Sequence, residues 1–384
     1  MKIAFTAPMK PLDDPQPSGD RTMGRLILRA LEIGGHEVRI ATRFRSWRKE
    51  GGDNALLAVK KAALEEAERI GDAWTREGYR PDLFLTYHLY HKAPDWIGPA
   101  LADRFDVPYA VIEASRARKR RTGPWAVGFQ GADDALKRAD GIAALHNWDR
   151  DRLLPFFEET ETDPAKRLRT VLPFLDLSAF GSVGNASPST EPAEPLKLLT
   201  VGMMREGDKT ASYEVLAAAL SELVDRPWQL TVVGDGPNRE KILSKFPQDR
   251  ITWLGALSPE NVIVEYPKHD LFVWPAIRES FGFVLLEAQA SGLGVIAGDA
   301  LGVPEIMADG TSGLLAPEGA SSAFAAKLRQ VLDTPALAGQ FGEAAKIRMI
   351  EVHSLQAGAE RLDAFLKAAL DHYQHRQLDQ AKDR

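Results

Sequence analysis

The 384-residue chain contains no cysteine. Disulfides, thiolate zinc sites, cysteine-ligated iron–sulfur clusters and a cysteine nucleophile are therefore excluded together. Long hydrophobic runs are also missing. The apolar stretches are broken by charge or glycine well short of the roughly 20 residues that a membrane-spanning helix needs. Met1–Thr6 is apolar but gives way to Pro8, Lys10, Asp13 and Asp14, which is too short for a signal-peptide core and suits a first β-strand. There is no excess of positive charge: 48 lysines and arginines face 54 aspartates and glutamates, a net charge of −6. That balance argues against a general nucleic-acid binder. What remains is globular, with 44% apolar and 27% charged residues, in a length that suits two domains. The expected setting is the cytoplasm, with peripheral contact at the inner membrane face left open.

Short apolar runs alternate with longer segments of helical spacing. Lys2–Thr6, Glu37–Ala41, Leu83–Tyr87, Tyr109–Ile112, Ile142–Leu145 and Thr170–Leu172 read as strands, and Arg21–Ile33 and Ala55–Trp74 as helices. Most of the runs are continuously apolar, as expected for parallel strands covered on both faces. Residues 181–195 (GSVGNASPSTEPAEP) hold almost no core-forming side chain and read as a linker. The rhythm then restarts, with strands at Lys197–Val201, Gln229–Val233, Ile251–Leu254, Leu271–Trp274 and Gly294–Ala297. The expectation is an α/β chain of two doubly wound, Rossmann-like domains facing each other across a cleft, 1–180 and 196–359, with a closing helix at about 360–384 packed back on the first. Open sheets of this kind bind ligands at the carboxyl ends of their strands.

The segment 274–304 (WPAIRESFGFVLLEAQASGLGVIAGDALGVP) carries the most chemistry. Glu279 and Glu287 are separated by seven residues, and Ser280 is placed to cap a helix starting at Phe281. Eight steps at helical rise would set the two carboxylates about 10 Å apart along the axis. That is too wide for a shared-proton pair and suits two ends of one elongated ligand. Between them the N–H groups of Phe281, Gly282 and Phe283 open a helix N-terminus, which attracts anions. A carboxylate, an anion site and a second carboxylate match a sugar, a diphosphate and a ribose in order.

This segment resembles the Glu-x7-Glu region of the family 4 retaining glycosyltransferases of GT-B fold, the glycosyl transferases group 1. Four further stretches resemble the family in sequence order: 201–209 (VGMMREGDK), 232–237 (VVGDGP), 253–255 (WLG) and 302–315 (GVPEIMADGTSGLL). The resemblance implies that Glu279 holds hydroxyls of the donor sugar and Glu287 the ribose. It implies that Lys209 and Arg205 neutralise the diphosphate and that Leu254 borders the base. Met203 stands where the family usually has its arginine, and Arg205 follows two residues later in a loop one residue longer.

In the first half, Gly19 in Ser18-Gly19-Asp20-Arg21 is placed to approach the donor phosphate, ahead of a helix from about Arg21. His88 ends a strand at the ligand edge and reads equally as a catalytic residue or a satisfied strand-end histidine. Many relatives carry a histidine at the end of the next strand, where this chain has Glu113 and Ala114. Glu113, Arg116 and Arg118 are candidates for the acceptor. Arg116, Arg118, Lys119, Arg120 and Arg121 form a basic run that reads either as a solvated loop or as a contact for an anionic acceptor or membrane, with Trp125 close by.

The resemblance thus implies a metal-independent hexosyltransferase of glycan or surface-polysaccharide biosynthesis. Its co-substrate would be a UDP- or GDP-linked sugar, with no cofactor, no nucleic-acid partner, and a glycan, lipid or small-molecule acceptor. A nucleotide-sugar epimerase of the same fold and a non-catalytic nucleotide-sugar-binding protein are the alternatives.

Overall fold

A computed structural model of the chain describes residues 1–14, 18–158, 166–181 and 195–382. Most of the expected linker, residues 182–194, lies outside the described residues. Twelve strands form two six-stranded sheets, and every strand pair in them is parallel.

The chain divides into two compact units, one of Met1–Leu172 with Gly358–Arg384 and the other of Pro173–Ala357. The first boundary falls earlier than expected. The segment after Leu172 is tied to the second unit: Leu175 bridges Ser354, its N–H donates to the His353 carbonyl at 2.8 Å, and His353 Nδ1 lies 2.7 Å from the Pro173 carbonyl oxygen. Of the closing helix Leu355–Lys382, Gly358 onward belongs to the first unit.

The first sheet contains β1 (Lys2–Thr6), β2 (Glu37–Ile40), β3 (Leu83–Leu89), β4 (Tyr109–Ala114), β5 (Gly141–Ala144) and β6 (Leu168–Thr170), in the order β2-β1-β3-β4-β5-β6. The second contains β7 (Leu196–Val201), β8 (Trp228–Val233), β9 (Ile251–Gly255), β10 (Leu271–Trp274), β11 (Gly294–Asp299) and β12 (Gly313–Pro317), in the order β12-β11-β10-β7-β8-β9. β12 lies inside a stretch that reads as loop. Both sheets are covered by helices, so their central strands are buried almost throughout: β1, β3, β4, β5, β7 and β10 expose at most one or two residues each. Continuous apolar runs are what such strands require.

In each sheet the chain runs outward one way from its first strand and then the other way. The order therefore reverses between β1 and β3 in one unit and between β7 and β10 in the other. Loops leaving adjacent strands at such a point diverge to opposite faces, and the crevice left at the carboxyl ends is where open α/β sheets take ligands. Each unit is thus expected to offer a site at that place, and each gathers a cluster of charged side chains there.

Candidate functional site

In the second unit the loop after β7 leads into the helix Asp208–Ser221, and the loop after β10 carries Ile277–Glu279. They enclose a hollow of about 320 Å³ lined by Arg205, Gly207, Lys209, Ile277, Arg278 and Glu279, among others. Lys209 Nζ donates to Glu279 Oε2, and the Trp274 indole donates to the same oxygen at 3.3 Å. The Lys209 ammonium also lies 5.2 Å from the Trp274 ring centroid, a favourable cation–π placement. Trp274 is fully buried, with the edge of Tyr213 5.1 Å away, and Tyr213 anchors itself on the Gly202 carbonyl at 2.8 Å. The charged pair therefore stands on a rigid aromatic floor. The loop holding Glu279 is fixed from both sides: Ser212 Oγ accepts from the Ile277 N–H at 3.0 Å, and Glu318 accepts from the Arg278 N–H at 2.7 Å. Its backbone is left-handed at Ala276 and Arg278 (φ 56° and 47°), a strained form that clusters at functional sites. Arg205 is exposed on the rim, its carbonyl capped by the Thr210 hydroxyl at 2.7 Å.

The helix after this loop begins two residues later than the sequence suggests. It runs Phe283–Ala290, with Gly282 rather than Ser280 at its N-cap. Gly282 has φ 75°, a conformation that suits glycine, and a Cβ there would come 3.0 Å from the Glu279 side chain and crowd it. Phe281 is buried outside the helix, with its ring 5.2 Å from that of Phe283. The spacing estimate for the two glutamates assumed unbroken helix and does not apply, because Glu279 lies in the irregular turn. Glu287 is in the helix, where the Tyr266 hydroxyl donates to its Oε2 at 2.9 Å. Burial raises the Glu287 carboxyl above the usual range, against the opposing effect of that hydrogen bond. Leu254 is exposed on β9, beside Trp253, whose indole donates to the Gly234 carbonyl at 2.8 Å.

In the first unit a second cluster sits at the reversal between β1 and β3. Gly19 opens the helix Gly19–Ile33 as its first residue, two positions earlier than expected. The next residue, Asp20, accepts from Lys10 and, at 3.2 Å, from the Ser18 hydroxyl, both at Oδ2. Its other oxygen lies 3.6 Å from His88 Nδ1, and Glu113 Oε2 lies 3.5 Å from the same nitrogen. The three groups present atoms within 4.8 Å of one another, and no other set of acidic and histidine ligands among the described residues is so placed. That composition fits a cation, although Lys10 already sits on the far oxygen of Asp20. Burial opposes ionisation of Asp20, but His88, Lys10 and Ser18 outweigh it and hold the carboxyl below the usual range. Glu113 is shifted the other way, raised by burial.

The basic run does not act as a unit. The Arg116 guanidinium donates to Asp133, which is buried, and lies 4.7 Å over the Phe156 ring. Arg116 thus neutralises a buried carboxylate inside the unit. Arg118 lies in an exposed turn, Arg118–Arg120. Trp125 is buried against His91 and does not reach an interface. Lys10, Asp20, Trp274 and Tyr266 are the site residues that sequence reasoning passed over. The signal for Asp20 was present, since it follows Gly19 in a stretch already singled out.

Residues 195–334 match the family model of the glycosyl transferases group 1. A sulfoquinovosyl transferase of Arabidopsis thaliana is 31% identical over 156 residues, covering 40% of this chain and 30% of that protein. A glycogen synthase of Mycobacterium tuberculosis is 25% identical over 351 residues, 87% of this chain and 78% of that protein. The sucrose-phosphate synthase from Thermosynechococcus elongatus, 20% identical, superposes with a TM-score of 0.70 over 99% of both chains. Residues 195–334 are thus similar to the glycosyl transferases group 1, in a chain that has the GT-B fold.

Proposed function

We propose that the chain is a retaining glycosyltransferase that moves a hexosyl group from a nucleotide-sugar to a hydroxyl of a glycan, lipid or small-molecule acceptor. The observation that carries this reading is the convergence of Arg205, Lys209 and Glu279 around one hollow at the β7–β10 reversal. In this reading the diphosphate lies against Arg205, Lys209 and the mouth of the Phe283–Ala290 helix. Glu279 takes hydroxyls of the sugar, and Glu287 takes those of the ribose.

The chemistry asks little else of the protein. The bond from the anomeric carbon to the diphosphate breaks, and the acceptor oxygen bonds to that carbon on the same face. The acceptor proton passes to a phosphate oxygen. Negative charge grows on the departing diphosphate, and fixed cations aimed at it lower the barrier more than they stabilise the bound donor. Lys209 is well placed for this because Trp274 and Glu279 hold it in position before the donor arrives. Two side-chain cations supply that charge, so no resident metal or cofactor enters the reading. Acceptor groups are assigned to the first unit, around His88, Asp20 and Glu113.

The test is a thermal-shift screen with UDP-, GDP- and ADP-glucose, followed by product analysis. A donor that binds the folded chain raises its melting temperature, and turnover releases free nucleoside diphosphate. An epimerised sugar still joined to its nucleotide, or no stabilisation by any of the three, would overturn the proposal.

A further inference from the structure

The first unit holds a cavity that neither cluster uses. It lies at the carboxyl ends of β1 and β2, on the opposite side of β1 from His88, with a volume of about 190 Å³. Its walls are Phe5, Pro11, Leu12, Leu28 and Ile40. The Leu12 wall is built in: a Cβ at Gly24 would come 2.5 Å from a Leu12 methyl, so the helix is close-fitted to this side chain at that point. Ile40, by contrast, is 42% exposed, an apolar surface left open to the hollow.

The rim is charged. Arg25 donates to the carbonyl oxygens of Leu12 and Asp14 at 2.6 and 2.8 Å, which pins its guanidinium at the mouth. Arg43 pairs with Asp13 there. Two arginines and one aspartate leave the mouth with one surplus positive charge. A separate polar hollow of about 410 Å³ shares Ile40, Thr42 and Arg43 with it and is bordered by Glu66 and Arg69, which are bonded to each other.

A hollow of this volume with mainly apolar walls has room for a benzene-sized group. With a cationic mouth and a polar hollow beside it, it selects a molecule with a compact apolar ring at one end and an anionic or hydroxylated group at the other. From this geometry we infer that the cavity is a binding subsite for the aglycone of the acceptor, an aryl or similarly compact apolar group bearing an anionic substituent. The inference rests on the reading of the chain as a transferase, and it narrows the acceptor class. The ring seats against Leu28 and Phe5, and the anion meets Arg25.

The experiment measures binding of phenyl phosphate to the full chain by ligand-observed NMR and calorimetry, with no nucleotide present. Benzyl alcohol and inorganic phosphate are the single-feature controls. Phenyl phosphate is expected to bind at least tenfold more tightly than either control. Leu28→Trp, which fills the cavity, is expected to weaken phenyl phosphate at least tenfold. Arg25→Gln is expected to bring its affinity down to that of benzyl alcohol. Melting curves and nucleotide-sugar stabilisation of both variants confirm that they fold. Equal binding of phenyl phosphate by wild type and the folded Leu28→Trp variant overturns the subsite, as does binding no tighter than phosphate. Either result leaves donor stabilisation intact, so a failed subsite and a failed transferase reading are told apart.

Discussion

His88 and Glu113 stand beside each other at the ends of β3 and β4, and both have left-handed backbones, with φ of 64° and 59°. The strand register passes them by: Tyr87 pairs with Ile112 and Leu89 with Ala114. Histidine tolerates this conformation better than most residues, glutamate does not, and a residue held there stores roughly 1–3 kcal/mol that the surrounding structure must supply. The gain is a pair of side chains turned toward Asp20, with His88 Nδ1 3.5 Å from Glu113. Asparagine tolerates left-handed backbone far better than glutamate. Glu113→Asn is therefore expected to keep or raise the melting temperature, by about 2–4 °C for each kcal/mol of strain relieved, while sugar transfer falls. A variant that is both more stable and fully active would remove Glu113 from the site.

The Lys209–Glu279 pair leads to a prediction about rate. Both side chains are mostly buried, at 18% and 17% exposure, so the lysine is partly desolvated and acts strongly on a charge developing beside it. Lys209→Ala is expected to lower turnover by on the order of 10²–10³-fold, the usual effect of removing one stabilising donor. Lys241, exposed on the same unit at 63%, is the control, and Lys241→Ala should leave the rate unchanged. Nucleoside diphosphate release under saturating donor measures both. A Lys209→Ala enzyme with the wild-type rate would separate the hollow from the chemistry.

Glu287 is expected to affect binding and not rate. A ribose contact is the same in the ground and transition states, so its loss raises KM and leaves kcat nearly constant. Glu287→Ala should weaken donor binding about tenfold, the worth of a hydrogen bond to a charged group. Tyr266→Phe removes the hydroxyl that holds the carboxylate at 2.9 Å and should have a smaller effect in the same direction. Calorimetric titration with the donor found in the thermal screen reads both variants. A fall in kcat at constant KM would place Glu287 nearer the reacting bond.

Much of this was legible from sequence because buried parallel strands leave continuous apolar runs, and ten of the strands overlap the runs read as strands for two residues or more, whereas β6 forms at Leu168–Thr170 and meets its expected run, Thr170–Leu172, at Thr170 alone. β12 falls on no expected run. Gly313–Pro317 follows Asp-Gly-Thr-Ser and ends in proline, all turn signals. It forms a strand because it lies at the sheet edge, paired to β11 alone, where proline is tolerated. The meeting of Arg205, Lys209 and Glu279 at one hollow was legible because their motifs are local and ordered. Lys10, Asp20 and His88 meet only after the loop from β1 folds over its own helix, and no spacing rule encodes that contact. Arg116 misled for the converse reason: a basic run looks solvated until a buried Asp133, seventeen residues away, claims one member.

Asp140 governs how the closing helix is held. It is fully buried, accepts from the Tyr109 N–H at 3.0 Å and from Arg138 at 2.8 Å, and receives Arg376 of the closing helix at 2.9 Å. Burial opposes its ionisation, but His372, Arg376 and the Tyr109 amide outweigh burial and lower the carboxyl below its usual value. A carboxyl lowered in the native state stabilises the fold above its unfolded-state value and loses that contribution as pH falls through the native one. Asp140→Ala is expected to cost about 3–5 kcal/mol, because it leaves arginines facing an empty buried site, and to flatten acid unfolding below pH ~4. Denaturant titration of both proteins across that range measures the effect. An equal acid slope in the two would show that Asp140 does not carry the ionic clasp.

His91 adds a loss of the same sign at milder acidity. Burial is the largest influence on it, followed by the cations of Arg120 and Lys92, and together they lower its imidazole from the ordinary 6.5 to about 4. Its ring packs edge-on against Trp125 at 5.3 Å, and neither ring nitrogen has a hydrogen-bond partner among the described residues. The native chain therefore keeps His91 neutral where the unfolded chain protonates it. Protons taken up by the unfolded state alone pull the equilibrium toward it. The loss begins as pH falls below 6.5, grows until about 4, and is constant below that. His91→Phe retains the ring contact with Trp125 and removes the titration. Its melting temperature should match wild type at pH 7.5 and exceed it increasingly from pH 6 to pH 4.5. Parallel melting curves for the two proteins over that interval would instead mean that the imidazole is already protonated in the folded chain, shielded from Arg120 and Lys92 by solvent.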